Sequence, residues 1–209
     1  VCAQQFIAAG IYRNALVIGA EKLSAVTDWQ DRNTCVLFGD GAGAAVLAPV
    51  EDGGILSSYM GSDGSLTDLL MIPGGGTKKP ASKETIEARE HYIKMRGNEV
   101  FKLAVKIMSD AACKALKGCE LGVDDIDCFI PHQANMRILD AVARKMHLPL
   151  EKIYFNVASY GNMSSASTAV ALCEAYQAGR IKPGSIVVLD AFGAGLVWGS
   201  CVIQWPSAL

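Results

Sequence analysis

The order of apolar and polar residues predicts helices and strands that alternate along the chain. Between residues 97 and 116, apolar residues recur at helical spacing opposite Lys102 and Lys106, so an amphipathic helix with one buried face is expected. A second helix is expected over residues 136–146. Short apolar runs predict buried strands at residues 15–19, 44–48, 126–130, 185–189 and 198–205. This alternation is typical of an α/β fold.

Two stretches of the chain share one layout. In each stretch a helix stops at a glycine, Gly10 or Gly179, and a buried strand follows. A glycine-rich turn comes next, at residues 39–43 or 193–195, and leads into a further strand. The repeated layout predicts an internal duplication.

The two copies differ at their helix. The second copy has a complete helix, which begins in a Ser- and Asn-rich stretch after Gly161. The first copy shows only the last turns of a helix, and it opens at Val1 without a capping residue. We therefore expect the chain to begin in mid-helix and to be the carboxyl-terminal portion of a larger fold.

Composition narrows the classes of function. The 209 residues are half apolar and carry a net charge of -2, so a sizeable core is expected and nucleic acid is not an expected partner. No stretch approaches the length of a membrane span. The seven cysteines are scattered among apolar residues, which favours reduced thiols in a cytosolic protein. No Cys-x-x-Cys pair or His/Cys cluster is present, so no metal site is expected.

His132 is the first candidate for chemistry. It follows the predicted strand that ends at Ile130, and Pro131 cannot extend the ladder of that strand. In open α/β sheets, ligands bind at the carboxyl ends of strands, and His exchanges protons near neutral pH. Taken alone, a structural histidine at a strand-to-helix turn remains the alternative.

Asn162 and the glycine-rich turns are further candidates. The side-chain amide of Asn162 offers two donors to a developing negative charge, although an N-cap role is the alternative. Both turns contain Gly-x-Gly, but each leads into a strand, which argues against a dinucleotide site. At residues 193–195 the close-packed glycines expose backbone N–H groups, which are suited to an oxyanion.

Four motifs together resemble the β-ketoacyl-acyl carrier protein synthase III family of thiolase-superfamily condensing enzymes. They are Phe-Gly-Asp-Gly-Ala-Gly (38–43), Ile-Pro-His-Gln-Ala-Asn (130–135), Tyr-Gly-Asn-Met-Ser-Ser-Ala-Ser (160–167) and Ala-Phe-Gly-Ala-Gly (191–195). The resemblance implies a thiolase-like layered α-β-α-β-α fold with internally duplicated halves. Residues 1–50 would be the end of the first half, and residues 51–209 would be the complete second half.

The same resemblance implies a reaction. An acyl-CoA primer, expected to be acetyl-CoA, would condense with malonyl-acyl carrier protein, with loss of carbon dioxide, and the 3-oxoacyl-acyl carrier protein formed would initiate fatty-acid synthesis. Of the family's Cys, His and Asn set, His132 and Asn162 would be present, and the Ala194 backbone N–H would lie in the oxyanion hole. The cysteine would precede residue 1, with Cys2 a packing residue. No metal or other cofactor is implied. The alternatives are a related Cys-His-Asn acyltransferase or condensing enzyme of secondary metabolism, or a non-catalytic fragment.

Substrate contacts are also implied by the resemblance. Coenzyme A would contact Arg32, Asn98, Phe101, Ala134 and Asn135. Acyl carrier protein would dock on Lys102, Gln133, Ala134, Asn135, Met136, Arg137, Arg144 and Lys145. Carrier proteins are acidic, and Arg137 and Arg144 are seven residues apart on the predicted helix, hence on one face. Solvated surface charges are the alternative for these basic residues, Arg32 included. A homodimer and the missing amino-terminal half are the other implied partners, whereas nucleic acid and membranes are not expected.

Overall fold

The computed structural model describes residues 1–207 and shows alternating helices and strands. The helices are α1 (Cys2–Ala8), α2 (Lys83–Glu87), α3 (Gly97–Lys117), α4 (Met136–Met146), α5 (Val157–Tyr160) and α6 (Ala166–Gln177). The strands are β1 (Ala15–Lys22), β2 (Asp40–Leu47), β3 (Gly54–Ser62), β4 (Leu70–Met71), β5 (Lys94–Met95), β6 (Cys128–Pro131), β7 (Ile186–Gly193) and β8 (Val197–Gln204). Within this part of the chain, no helix has the length and apolarity needed to cross a membrane.

The strands form one four-stranded sheet and two small ones. In the large sheet the order is β3-β8-β7-β6, and β6 runs parallel to β7 while the other pairs are antiparallel. β1 pairs with β2, and β4 with β5, both antiparallel. Because β6 and β7 are parallel neighbours, their carboxyl ends lie side by side, and the segments that follow them meet there.

Helices cover both faces of the large sheet. On one face Phe129, Val188 and Val202 pack against residues of α3 and α4. On the other face Ile130 and Val187 pack against α6. Adjacent strand residues therefore point to opposite helices, as the period of two in a strand requires. The far side of α6 packs on β1 and β2, which gives an α-β-α-β order of layers.

The expected elements are present, and the two copies of the layout end their helices in the same way. α3, α4, β6, β7 and β8 confirm the predicted helices and strands. Gly10 and Gly179 are both left-handed, with φ near +70°. Their N–H groups donate to Ile7 O and Tyr176 O respectively, each at 2.9 Å. Glycine adopts this conformation without a steric penalty, so it ends both helices.

Two expectations about the first copy are wrong. The glycine-rich residues from Asp40 to Gly43 lie inside β2 and not in a turn, because Gly41 lets Met163 pack directly on the strand. The predicted burial of the first strand is not seen, since the side chains of Leu16 and Ile18 are 61% and 62% exposed. Among residues 1–207, only the face of β1 and β2 that meets α6 is covered.

Candidate active site

A cavity of about 750 Å³ opens at the carboxyl ends of β6 and β7. His132 follows β6, Asn162 follows α5, and Ala194 follows β7, and all three residues line this cavity. Much of the remaining wall is apolar and includes Phe38, Met71, Ile93, Val100, Ile138, Phe192 and Trp198. The three residues singled out from the sequence are thus brought together at one site.

His132 is buried, with 7% of its surface exposed, and contacts of both its backbone and its ring hold it in place. Its backbone N–H donates to Asp190 O at 2.6 Å, and its ring meets the Phe192 ring edge-on, with 5.8 Å between centroids. Burial in this apolar setting lowers the pKa of His132 to about 4. The imidazole is therefore neutral near pH 7.

Ser167 anchors the imidazole, a role that the sequence interpretation did not assign. The Ser167 hydroxyl shares a hydrogen bond of 2.6 Å with Nδ1 of His132, so Nε2 is the other ring nitrogen available to a ligand. The same hydroxyl lies 2.8 Å from Ser164 O. Its single proton can serve only one of these acceptors. When it is directed at Nδ1, the ring proton lies on Nε2 and Nε2 is a donor.

Asn162 is held by a backbone bridge to the segment before β2. Its N–H donates to Leu37 O, and its carbonyl oxygen accepts from Gly39 N–H, both at 2.9 Å. Its side-chain Oδ1 accepts from Ser164 N–H at 2.9 Å. With the oxygen so occupied, the amide NH₂ is the end left to donate to a ligand. Asn162 is not the N-cap of α6, since Ser165 holds that position.

Asp190 is a buried acid beneath the site. Neither carboxyl oxygen has a hydrogen-bond partner among residues 1–207, and the Ser200 hydroxyl donates instead to Leu189 O. Burial raises the pKa of Asp190 well above its ordinary range, which favours the neutral carboxyl. Among residues 1–207, the His132 ring is hydrogen-bonded to Ser167 and not to a carboxylate.

The Ala194 backbone lies at the turn between β7 and β8. Within residues 1–207 its N–H has no hydrogen-bond acceptor, and the residue is exposed along the cavity wall. A main-chain donor in this position suits an oxyanion, and the methyl side chain does not interfere. The oxyanion role of the Ala194 N–H stays a prediction.

Of the five residues predicted to contact coenzyme A, two line the cavity and three do not. Ala134 and Asn135 line the cavity, although the Asn135 side-chain oxygen already caps α4 by accepting from Ile138 N–H at 3.0 Å. Asn98 lies exposed on the first turn of α3, and the half-buried Phe101 lies one turn further along. Arg32 is exposed on the loop before β2.

Of the predicted carrier-protein contacts, Ala134 is buried at 5% exposed, and Gln133 is enclosed completely. Its side chain is fully buried, at 0% exposed. Its amide donates to Pro131 O and Tyr154 O and accepts from two backbone N–H groups. A side chain enclosed in this way has no surface to offer to another protein.

Five of the predicted docking residues are exposed, and Asn135 is half-buried. Met136, Arg137, Arg144, Lys145 and Lys102 all reach the surface on α4 and α3. The Arg137 guanidinium lies over the Phe101 ring, 5.5 Å from its centroid, and so links the two helices. Lys145 forms an ion pair of 3.6 Å with Asp110, which partly neutralises its charge. Arg137, Arg144 and Lys102 are therefore the stronger candidates for an acidic partner.

All seven cysteines are free thiols. Cys2 is exposed in the first turn of α1, so the prediction that it packs internally is wrong. Cys201 lines the cavity, but burial raises its pKa, as it raises the pKa of Cys128 to about 11. A raised pKa disfavours the thiolate, so Cys201 is not activated as a nucleophile. Among residues 1–207, no group of three or more His, Cys, Asp or Glu side chains is arranged to hold a metal ion.

Two models of one protein family match different parts of this chain. Residues 116–205 match the family described as 3-oxoacyl-(acyl-carrier-protein) synthase III C terminal, and residues 1–64 match 3-oxoacyl-(acyl-carrier-protein) synthase III. Together the two matches cover most of the chain. The chain belongs to the 3-oxoacyl-(acyl-carrier-protein) synthase III family.

Individual relatives agree with this assignment. The chain is 56% identical over 204 residues to the beta-ketoacyl-(acyl-carrier-protein) synthase III of Caldanaerobacter subterraneus subsp. tengcongensis, covering 97% of this chain and 62% of the relative. The crystal structure of 3-oxoacyl-(acyl-carrier-protein) synthase III from Aquifex aeolicus superposes with a TM-score of 0.87 at 42% identity, covering 98% of this chain and 62% of that one. The fold is thus the thiolase-like α/β fold of this family, and the chain spans about 62% of the length of these relatives.

A third likeness extends beyond the synthase III name. The priming beta-ketosynthase from the R1128 polyketide biosynthetic pathway superposes with a TM-score of 0.87 at 33% identity, covering 98% of this chain and 61% of that one. Enzymes of this architecture therefore include members whose names refer to polyketide pathways.

Burial of neutral His132 predicts a pH-dependent stability. Because its pKa is about 4 in the folded protein and ordinarily about 6.5, the unfolded chain binds more protons between these values. The free energy of unfolding is at its full value above pH 6.5, where His132 is neutral in both states. It falls by up to about 3 kcal/mol as the pH drops to 4. Thermal unfolding of the intact protein should show a steeper loss of stability over this range than its His132→Gln variant. The exposed substitution His147→Asn is the control, and parallel profiles for the His132 pair would contradict the shift.

Gly39 predicts a steric test of the Asn162 bridge. A Cβ at this position would collide with the carbonyl oxygen of Tyr160, so Gly39→Ala should push the Asn162 segment away and lower the melting temperature. We expect a destabilisation of about 1–3 kcal/mol by thermal or urea unfolding. Gly64→Ala is the matched control, because a Cβ there meets nothing within 4 Å. Equal stability of the two variants would show that the bridge is not tight.

Proposed function

We propose that the intact protein condenses an acyl-CoA, with acetyl-CoA the expected primer, with malonyl-acyl carrier protein and releases carbon dioxide. The product is a 3-oxoacyl-acyl carrier protein, the first condensed intermediate of fatty-acid synthesis. The observation that carries the proposal is the pair of His132 and Asn162, each with one polar end fixed by the protein and the other left for a ligand at one cavity. Membership of the synthase III family supports it.

The two side chains suit decarboxylation. When the bond to the malonyl carboxylate breaks, its electron pair forms an enolate, and negative charge develops on the thioester oxygen. The amide NH₂ of Asn162 donates to that oxygen, and neutral His132 donates from Nε2 when the Ser167 hydroxyl proton is directed at Nδ1. The enolate carbon then attacks the acyl thioester, whose oxygen is held by the Ala194 N–H, and the enzyme thiolate leaves.

The thiol that carries the acyl group is proposed to lie outside these 209 residues. Of the cysteines described, only Cys201 reaches the cavity, and its pKa is raised by burial. Val1 lines the same cavity as His132. The 209 residues alone are accordingly expected to be inactive in acyl transfer.

Several broader features belong to the same proposal. The cavity lined by Ala134 and Asn135 would receive the pantetheine arm, with Arg32, Asn98 and Phe101 contacting coenzyme A nearer the surface. The free thiols support a cytosolic location. Exposed Leu16, Ile18 and Val46 on the small sheet support further protein there, either the first half of the fold or a second copy in a homodimer. Residues 1–50 and 51–209 would belong to different halves of the duplicated fold.

A second candidate is a condensing enzyme of secondary metabolism that uses the same His and Asn. The 33% identity to the R1128 priming beta-ketosynthase favours it as the alternative. A panel of acyl-CoA primers separates the two candidates. Preference for acetyl-CoA supports a role in fatty-acid synthesis, whereas preference for longer or branched primers supports the alternative.

The catalytic pair can be tested directly. In the intact protein, His132→Ala and Asn162→Ala should each slow release of carbon dioxide from malonyl-acyl carrier protein by about 10²–10³-fold, because each removes one donor to the enolate oxygen. Acyl loading from acyl-CoA, followed by mass spectrometry of the acyl-enzyme, should persist in large part. The exposed substitution Asn14→Ala is the control. Unchanged decarboxylation in both site variants would reject the proposed function.

The basic surface of α4 makes a separate prediction. Arg137→Glu and Arg144→Glu should each raise the KM for malonyl-acyl carrier protein several-fold at low salt, because an acidic carrier would meet a reversed charge. The KM for malonyl-CoA should change little. Lys182→Glu is the matched control, since it lies before β7, at the end of the sheet opposite the cavity. If the KM values for both substrates rise equally, these arginines do not form a carrier-protein surface.

A further inference from the structure

We propose that Gln133 is a positioning residue for Asn162, holding the segment that carries the Asn162 amide at its place beside the cavity. The inference uses the proposed function for its activity assay. Gln133 directly follows His132 in the chain, and its side chain is fully buried.

The Gln133 amide is fully engaged. Its Nε2 donates to Pro131 O at 2.8 Å and to Tyr154 O at 3.1 Å. Its Oε1 accepts from Asn156 N–H at 3.0 Å and from Val157 N–H at 3.2 Å. An amide has two donor hydrogens and two acceptor lone pairs, so all four are used within the protein. A buried amide satisfied in this way has one stable orientation.

These bonds reach the start of the short helix that ends at the site. Val157 begins α5, and Gly161 N–H donates back to Val157 O at 2.8 Å as the helix ends. Asn162 follows immediately. Displacing the first residues of α5 therefore displaces Asn162, because only one turn of helix separates them.

His132 does not depend on the same support. Its backbone is bound to Asp190 O, and its ring is bound to the Ser167 hydroxyl. Gln133 thus positions Asn162 from the α5 side, and the backbone bridge to Leu37 and Gly39 holds it from the other side. Glu174 of α6 supports α5 on its other side by accepting from Asn156 Nδ2 at 2.9 Å. Loss of Gln133 should therefore shift the helix and not unfold it.

The test uses two substitutions of similar volume. Gln133→Glu retains the shape but loses at least one donor hydrogen, and Gln133→Met removes every polar group. We expect each variant in the intact protein to decarboxylate malonyl-acyl carrier protein and malonyl-CoA about 10–100-fold more slowly, since small misplacements of a catalytic group have effects of this size. The KM for the carrier protein should stay close to the wild-type value. A rise in that KM alone would instead show a docking contact and overturn the proposal.

A double-mutant cycle separates positioning from general structural damage. If Gln133 acts through the Asn162 amide, adding Gln133→Met to Asn162→Ala should slow decarboxylation no further. Adding the same change to His132→Ala should slow it by the full factor. Independent, multiplicative effects with Asn162→Ala would overturn the proposal. Gln177→Glu, at an exposed position at the end of α6, is the control for the substitution itself.

A structural readout distinguishes failure of this proposal from failure of the proposed function. If His132→Ala and Asn162→Ala both leave decarboxylation unchanged, the proposed function fails, and a crystal structure of the Gln133→Glu variant then decides the positioning role. A displaced Asn162 side chain with His132 in place supports it. An unmoved Asn162 overturns it.

Discussion

The backbone bridge between Gly39 and Asn162 is the constraint on which the candidate site depends. It joins the segment before β2 to the segment before α6. The sheet of β1 and β2 therefore meets the rest of the structure at Asn162, whose amide faces the cavity. The bridge exists because position 39 has no side chain, and any Cβ would meet the Tyr160 carbonyl. The bridge fixes the Asn162 backbone, and the hydrogen bond from Ser164 N–H to its side-chain oxygen then turns the amide NH₂ outward.

The chemistry of the cavity follows from the burial of its titratable groups. His132 and Asp190 are both buried without a charged partner among the described residues, and burial drives both towards their neutral forms. A neutral imidazole and a neutral amide stabilise developing charge by hydrogen bonding, without first losing the hydration of an ion.

Periodicity and motif spacing predicted much of the fold and several of the residues that line the cavity. α3 was predictable because its apolar residues recur at helical spacing. His132 and Asn162 were identifiable from their positions after predicted elements and from the family resemblance. The sequence could not show that Gln133 is enclosed, because burial at a strand-to-helix turn depends on residues 20 or more positions away. The glycines of β2 were assigned to a turn because glycine is typical both of turns and of strands that pack closely against a neighbour.

The dependence of β2 on α6 also has a consequence for how the chain folds during synthesis. α6, which covers the inner face of β1 and β2, begins about 120 residues after β2 ends. At ribosomal speeds of 5–20 residues per second, the small sheet waits roughly 6–24 s before that helix has been synthesised. Over this interval the face of β1 and β2 that α6 covers in the folded protein stays open. The small sheet therefore completes its packing only after most of the large sheet's helices have been made.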